Sequence, residues 1–352
     1  MKQNNITQLQ YGTLIFFLLN SFIINIGYYN LTTTSKTDSI LDILIGGCII
    51  ILLGKIILYI QKNNQLSFLE LIKKSRKSIK IISCLTLGSI ILVTLIYHLS
   101  NITAFIHYYI LKEVSLFTIT VTLVITSIYI VSKNLSTISK ISEVFFYIYI
   151  FIFIIGCIGV LKYIDISNIK PLLTSSLKEQ VTSSNYFFSS AIIPLSLLLI
   201  IPNKNIKSNK SDKVPLIFII TFILLTFIQL ICIISILGIK LANIYQNPDM
   251  IIFKKISFLN ILERVEVMLS LNHILSSLFF IIMCIYVLKK LIEVFIDEKK
   301  EHITLSAIAL LLIILNNIYK TNITFYLTVS NVILILVIIY FINTILSKYK
   351  NH

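Results

Sequence analysis

Two short polar runs interrupt an otherwise apolar chain, and their chemistry is that of exposed backbone. The first is Asn20-Ser21, followed by Asn25 and Gly27; the second is Ser189-Ser190, followed by Pro194. Proline has no N–H and crowds the turn before it, so Pro194 should deprive the carbonyl near Ser190 of its helical partner. Within hydrocarbon a freed carbonyl survives only against protein or a water-filled cavity. A broken helix also presents free N–H groups, which suit an anion such as the carboxylate of an amino acid. Asn and Ser inside a membrane span can equally be plain interhelical contacts, worth about 0.6 kcal/mol each. Here the two interruptions fall five spans apart, at matching places in two halves, the pattern that marks a midplane site in inverted-repeat transporters. Asn20, Ser21, Asn25, Ser189, Ser190 and Pro194 are therefore candidate ligand-binding residues. Tyr97 joins them, with His98, Ser100 and Asn101 beside it at one end of the third span; His98 itself reads as a satisfied interfacial histidine.

Other chemistries find little to work with. Asp42, Glu113, Glu143 and Glu266 lie near span ends, as expected when a mid-bilayer charge costs about 2.5–3.5 kcal/mol. No His, Asp and Glu spacing suits hydrolysis or a metal ion, so neither an enzyme nor a cofactor is expected. Cys48, Cys84, Cys157, Cys232 and Cys284 form no CxxC and read as packing residues. Asn316, Asn317 and Asn331 read as helix contacts.

The elements that hold these residues follow from composition. Of 352 residues 57% are hydrophobic and 13% charged, against roughly 25% charged in soluble domains. Mean hydropathy is +0.94. A membrane helix needs ~20 apolar residues to cross ~30 Å of hydrocarbon. Ten such stretches are predicted, at about 9–30, 39–61, 80–101, 114–132, 142–163, 185–202, 214–238, 267–288, 303–319 and 324–346. Barrel strands would alternate apolar and polar residues, and these do not. An all-α polytopic membrane protein, one transmembrane domain over 1–352, is the expectation. The first span has no cleavage signature and is expected to be retained.

The net charge of +15 is explained by topology rather than by nucleic acid. With a cytoplasmic N-terminus, 19 cations fall in cytoplasmic loops and tails and 10 in outer loops. That is the positive-inside pattern, and it places both termini in the cytoplasm. The 62–79 connection is basic and amphipathic. Phe68, Leu69 and Ile72 oppose Lys73, Lys74, Arg76 and Lys77, which predicts a short interfacial helix.

Four segments resemble the spore germination permease family, a branch of the amino acid–polyamine–organocation transporters. Ile6-Thr7-x-x-Gln10 is similar to the family's Ile-Ser-x-x-Gln. Asp165 through Ile169-Lys170-Pro171-Leu172-Leu173 is similar to its Asp…Asn-x-x-Pro-Leu-Leu. Asn247-Pro248 stands where a Tyr-Pro is usual. Ile261-Leu262-Glu263-Arg264-Val265-Glu266 resembles the Phe-x-Glu-Arg-x-Glu box and is the most specific of the four. The chain departs from the pattern at Asn20-Ser21, where Gly-Ser is common. It also lacks the Gly and Glu of Phe-Gly-x-Glu in span six, and it has no Trp.

The resemblance implies a LeuT-like bundle of five-plus-five inverted repeats with helices 1 and 6 broken. It implies the B subunit of a bacterial nutrient germinant receptor, binding a small nutrient such as an amino acid in a transporter-like pocket. Its partners would be an A-type subunit and a lipoprotein C-type subunit in the spore inner membrane. Glu263, Arg264 and Glu266 would then brace the outer loop or a partner. An ion-coupled amino-acid transporter and a scaffold subunit with an inactive pocket are the competing expectations.

Overall fold

The computed structural model describes residues 6–63, 67–206, 213–254, 265–295, 301–318 and 322–350. Helices account for nearly all of it. The first predicted span is three pieces, α1 (Gln8–Asn20), α2 (Phe22–Asn25) and α3 (Gly27–Ser35). The next long helix is α4 (Ser39–Asn63), then the short α5 (Phe68–Lys74), α6 (Lys77–Tyr109), α7 (Leu116–Val131) and α8 (Leu135–Val160). The second half holds α9 (Leu177–Leu197), α10 (Val214–Ala242), the short α11 (Pro248–Lys254), α12 (Val265–Ile292), α13 (Glu301–Ile318) and α14 (Ile323–Lys350). Each of the ten predicted stretches therefore has a helical counterpart. Among the described residues eight helical stretches are long and apolar enough to cross a membrane. Two predicted spans are exceptions: the first, which is broken, and α7, which is apolar but has only 16 residues.

Lipid tails are as apolar as leucine, so the hydrophobic effect does not sort these helices; close packing and polar contacts do. The stretches around α9 and α12 are 78% and 72% buried, whereas those of α13 and α14 are 22% buried. The central layer is thus α1, α9 and α12, with α4, α8 and α10 packed around it and α13 and α14 outside. Gly46 on α4 shows why the centre is tight. A Cβ there would lie 2.9 Å from the Ser184 carbonyl of α9, so only glycine permits this approach.

Capping boxes start the elements that matter for the site. Thr7 and Gln10 cap α1, and Ser176 and Glu179 cap α9. The Pro171–Leu173 stretch is pinned by Asp38, whose carboxylate accepts from the N–H groups of Leu173 (2.5 Å) and Ser175 (2.7 Å). A short amphipathic helix forms in the 62–79 connection as α5, with Leu69 and Ile72 buried and its lysines exposed.

Candidate functional site

The interruption of the first span lies later than the sequence suggested. At Asn20-Ser21 the helix only bends: Ser21 keeps α-helical angles and its N–H still reaches the Phe17 carbonyl at 3.2 Å. Ser21 Oγ turns back to the Leu18 carbonyl at 2.7 Å, a local bond that loosens a helix without opening it. The break proper is at Ile26–Gly27. Gly27 has φ +70°, left-handed backbone that other residues adopt at a cost of roughly 1–2 kcal/mol.

Span six corrects the expectation of a second broken helix. α9 is wound continuously from Leu177 to Leu197 and passes into a 3-10 turn at Leu198–Ile200. Pro194 does remove a donor, but the orphaned Ser190 carbonyl is met from outside the helix. The hydroxyl of Tyr326, on α14, donates to it at 3.4 Å. The freed group has found protein instead of a cavity.

Tyr326 also joins the two halves of the candidate site. Its ring lies against that of Tyr97 on α6, with centroids 5.1 Å apart and planes 30° apart. Tyr97 in turn donates to the Asn25 backbone carbonyl at 2.5 Å, one residue before Ile26. His98 Nδ1 sits 2.5 Å from Asn25 Oδ1, and its ring packs on Phe280 of α12 at 4.6 Å. His98 is thus a fully buried partner of the break, not the interfacial histidine that was expected. Asn25 Nδ2 is buried beside the Tyr326 hydroxyl but makes no well-formed hydrogen bond. Asn25, Tyr97, Ser190 and Pro194 therefore converge, with His98 and Tyr326 added. Ser189 stands apart from them in its bonding, donating to Asn185 Oδ1 at 3.2 Å within α9.

Asn20 is engaged at both ends. Tyr149 on α8 donates to its Oδ1 (3.2 Å), and its Nδ2 donates to Ser276 Oγ on α12 (2.7 Å). Ser276 passes the chain to the Asn272 carbonyl, and Asn272 Nδ2 returns to the Tyr149 carbonyl at 3.3 Å. This closed ring clasps α1, α8 and α12 together.

A second polar cluster escaped the sequence reading. Asp249, in the first turn of α11, pairs with His273 on α12; both are buried. Gln229 on α10 reaches the same carboxylate oxygen at 3.5 Å and accepts from Tyr28 of α3 at 3.1 Å. The available signal was His273 itself, an ionisable residue well inside the predicted span 267–288. Glu263 and Arg264 lie outside the described residues. Glu266 opens α12 and is half-buried.

A family model described as spore germination protein, the spore permease family, matches residues 6–325. The chain belongs to that family. The match takes in α1 through α13 and the start of α14, so the spore permease segments at Asn25, Tyr97 and Ser190 fall inside it, and Tyr326 is the first residue beyond it. No curated protein matches the chain. Within the spore permease fold, Asp38 and the Pro171–Leu173 stretch give a structural reason for one of the four segments noted above: the carboxylate orders the turn that leads into α9.

Proposed function

We propose that this spore permease family member is the B-type subunit of a nutrient germinant receptor, binding a small nutrient at the interrupted first span. One observation carries the reading. The helix breaks beside a buried Asn25 whose amide Nδ2 makes no well-formed hydrogen bond. A buried donor left unpaired costs about 1–3 kcal/mol, and a carboxylate or carbonyl of a nutrient would remove that cost. An amino acid fits this chemistry, with its carboxylate on Asn25 and its side chain against Tyr97 and Tyr326. The A-type and C-type subunits and the spore inner membrane belong to the same proposal, as does a cytoplasmic location for both termini.

Binding would act by shifting a conformational equilibrium. The ligand must displace the Tyr326 contact that now closes the site, and it can bias the two states only by its differential affinity. A ~100-fold preference amounts to about 2.7 kcal/mol, enough to signal if the resting bias is small. The test is a thermal-shift panel of amino acids on purified protein, alongside germination of spores carrying Asn25→Leu. Stabilisation by at least one amino acid, lost in the variant at normal abundance, is expected. A variant with unchanged ligand responses would sink the reading.

Ion-coupled transport is the second reading, and the buried Asp249–His273 pair favours it, because ionisable groups inside the membrane commonly mark ion pathways. Concentrative, ion-dependent uptake of a labelled amino acid into proteoliposomes would decide for transport over sensing.

A further inference from the structure

A cavity of about 320 Å³ lies between α5, α6, α9, α12 and α14, and Asn25 is not among its lining residues. Its wall is mostly aliphatic and aromatic, with Leu87, Ile90, Ile193, Leu291, Ile333 and Tyr340 representative. Two of its hydroxyls are already spent inside their own helices. Thr86 donates to the Ile82 carbonyl at 2.9 Å and Ser196 to the Ile193 carbonyl at 2.7 Å. A polar nutrient would find few groups to bond with there beyond Ser83, Tyr340 and Asn343, whereas a hydrocarbon chain matches most of the wall.

The segment that joins the α5 part of the wall to the α6 part has the opposite character. Lys73 and Lys74 end α5, Arg76 and Lys77 begin α6, and Lys80 stands one turn before Ser83 of the wall. The first four are exposed and Lys80 is half-buried. None pairs with a carboxylate among the described residues. Glu70, the acidic residue of α5, is taken by Lys204 at 2.5 Å. An apolar slot beside uncompensated cations matches the two parts of one molecule.

We propose that this cavity is a binding site for an anionic phospholipid, with an acyl chain in the slot and its phosphate against the Lys73, Lys74, Arg76, Lys77 and Lys80 cluster. Charge complementarity selects this occupant over a zwitterionic lipid. Each basic residue near a membrane surface is worth about fivefold in affinity for anionic lipid. The site is separate from the nutrient site and does not depend on it.

The chain has no Trp, so a single introduced indole reports on one place. Leu336→Trp puts it on the cavity wall, at a position already 46% exposed, and Ile125→Trp puts it on the lipid-facing side of α7, at 58%. Each protein is reconstituted with brominated phosphatidylglycerol or brominated phosphatidylcholine diluted into unlabelled lipid. Quenching of the Leu336→Trp protein is expected at lower mole fractions of the phosphatidylglycerol, with no preference in the Ile125→Trp protein. Adding Lys73→Gln and Lys74→Gln should cut that preference by about fivefold per charge. Equal quenching by both lipids at the two reporters, or a preference that survives the two glutamines, overturns the proposal. Inorganic phosphate that abolishes the preference at millimolar concentration would assign the cluster to a soluble anion and likewise overturn it.

Discussion

Pro194 and Tyr326 form a compensating pair. The proline withholds an N–H from the Ser190 carbonyl and the tyrosine hydroxyl supplies a replacement from another helix. Tyr326→Phe should therefore lower stability by about 1 kcal/mol, the low end for a buried group left unmatched, because the bond is long. Pro194→Ala restores the helical N–H, so Tyr326→Phe should cost almost nothing in that background. Melting temperatures of the four proteins in detergent close the cycle; equal losses in both backgrounds would disprove the compensation. The Asp249–His273 pair is a sterner case. His273→Leu leaves a buried carboxylate without its partner and should cost about 3–5 kcal/mol, read as loss of folded protein on heating. Asp249→Asn together with His273→Gln should recover much of that loss. At this scale the sequence was only partly legible. Asn25, Tyr97, Ser190 and Pro194 stand out as polar or helix-breaking residues within apolar stretches. His98, Tyr326 and Asp249 look ordinary until packing brings helices that are distant in sequence together.

At the scale of elements, periodicity and length located the helices, because a span has to be long and apolar whatever its neighbours do. Where a helix breaks is a different matter. Polar residues at Asn20-Ser21 drew attention, yet the backbone departs at Ile26–Gly27, where a glycine can take φ +70°. Pro194 suggested a break in α9 that a neighbouring tyrosine made unnecessary. Helix contacts are also testable here. Gly46→Leu should push α4 away from α9, since even a Cβ comes within 2.9 Å of the Ser184 carbonyl, with an overpacking cost of about 1–3 kcal/mol. Lower melting temperature and greater protease sensitivity would be the readouts. The short α5 offers a pH test. The Lys204 ammonium beside Glu70 holds its carboxyl below the usual carboxylate range. A depressed value means the bond contributes at neutral pH and is lost as pH falls below about 4.5, through the folded-state value. The pair is partly exposed, so the effect stays under about 1 kcal/mol. Protection factors of the Phe68–Lys74 amides, taken relative to the intrinsic exchange rate at each pH, should fall on acidification, and those of Glu70→Gln should be flat across the same range.

On the scale of the whole molecule, the family and the membrane-spanning architecture agree, and both were accessible from composition and four short segments. The way the pieces close around Asn25 was not, because it depends on which side chains of α6, α9 and α14 meet there. Around that closed centre the outer helices are unequal in reach. α7 has 16 residues, so it rises only ~24 Å where the surrounding hydrocarbon is ~30 Å thick. Its neighbours α6 and α8 are far longer. The bilayer must pinch inward along the α7 side, and the strain grows with acyl-chain length at a fraction of a kcal/mol per Å. Vesicles of short-chain lipid should thus hold the protein more stably than long-chain ones, so the lipid mixture of its native envelope becomes a setting of its mechanical load.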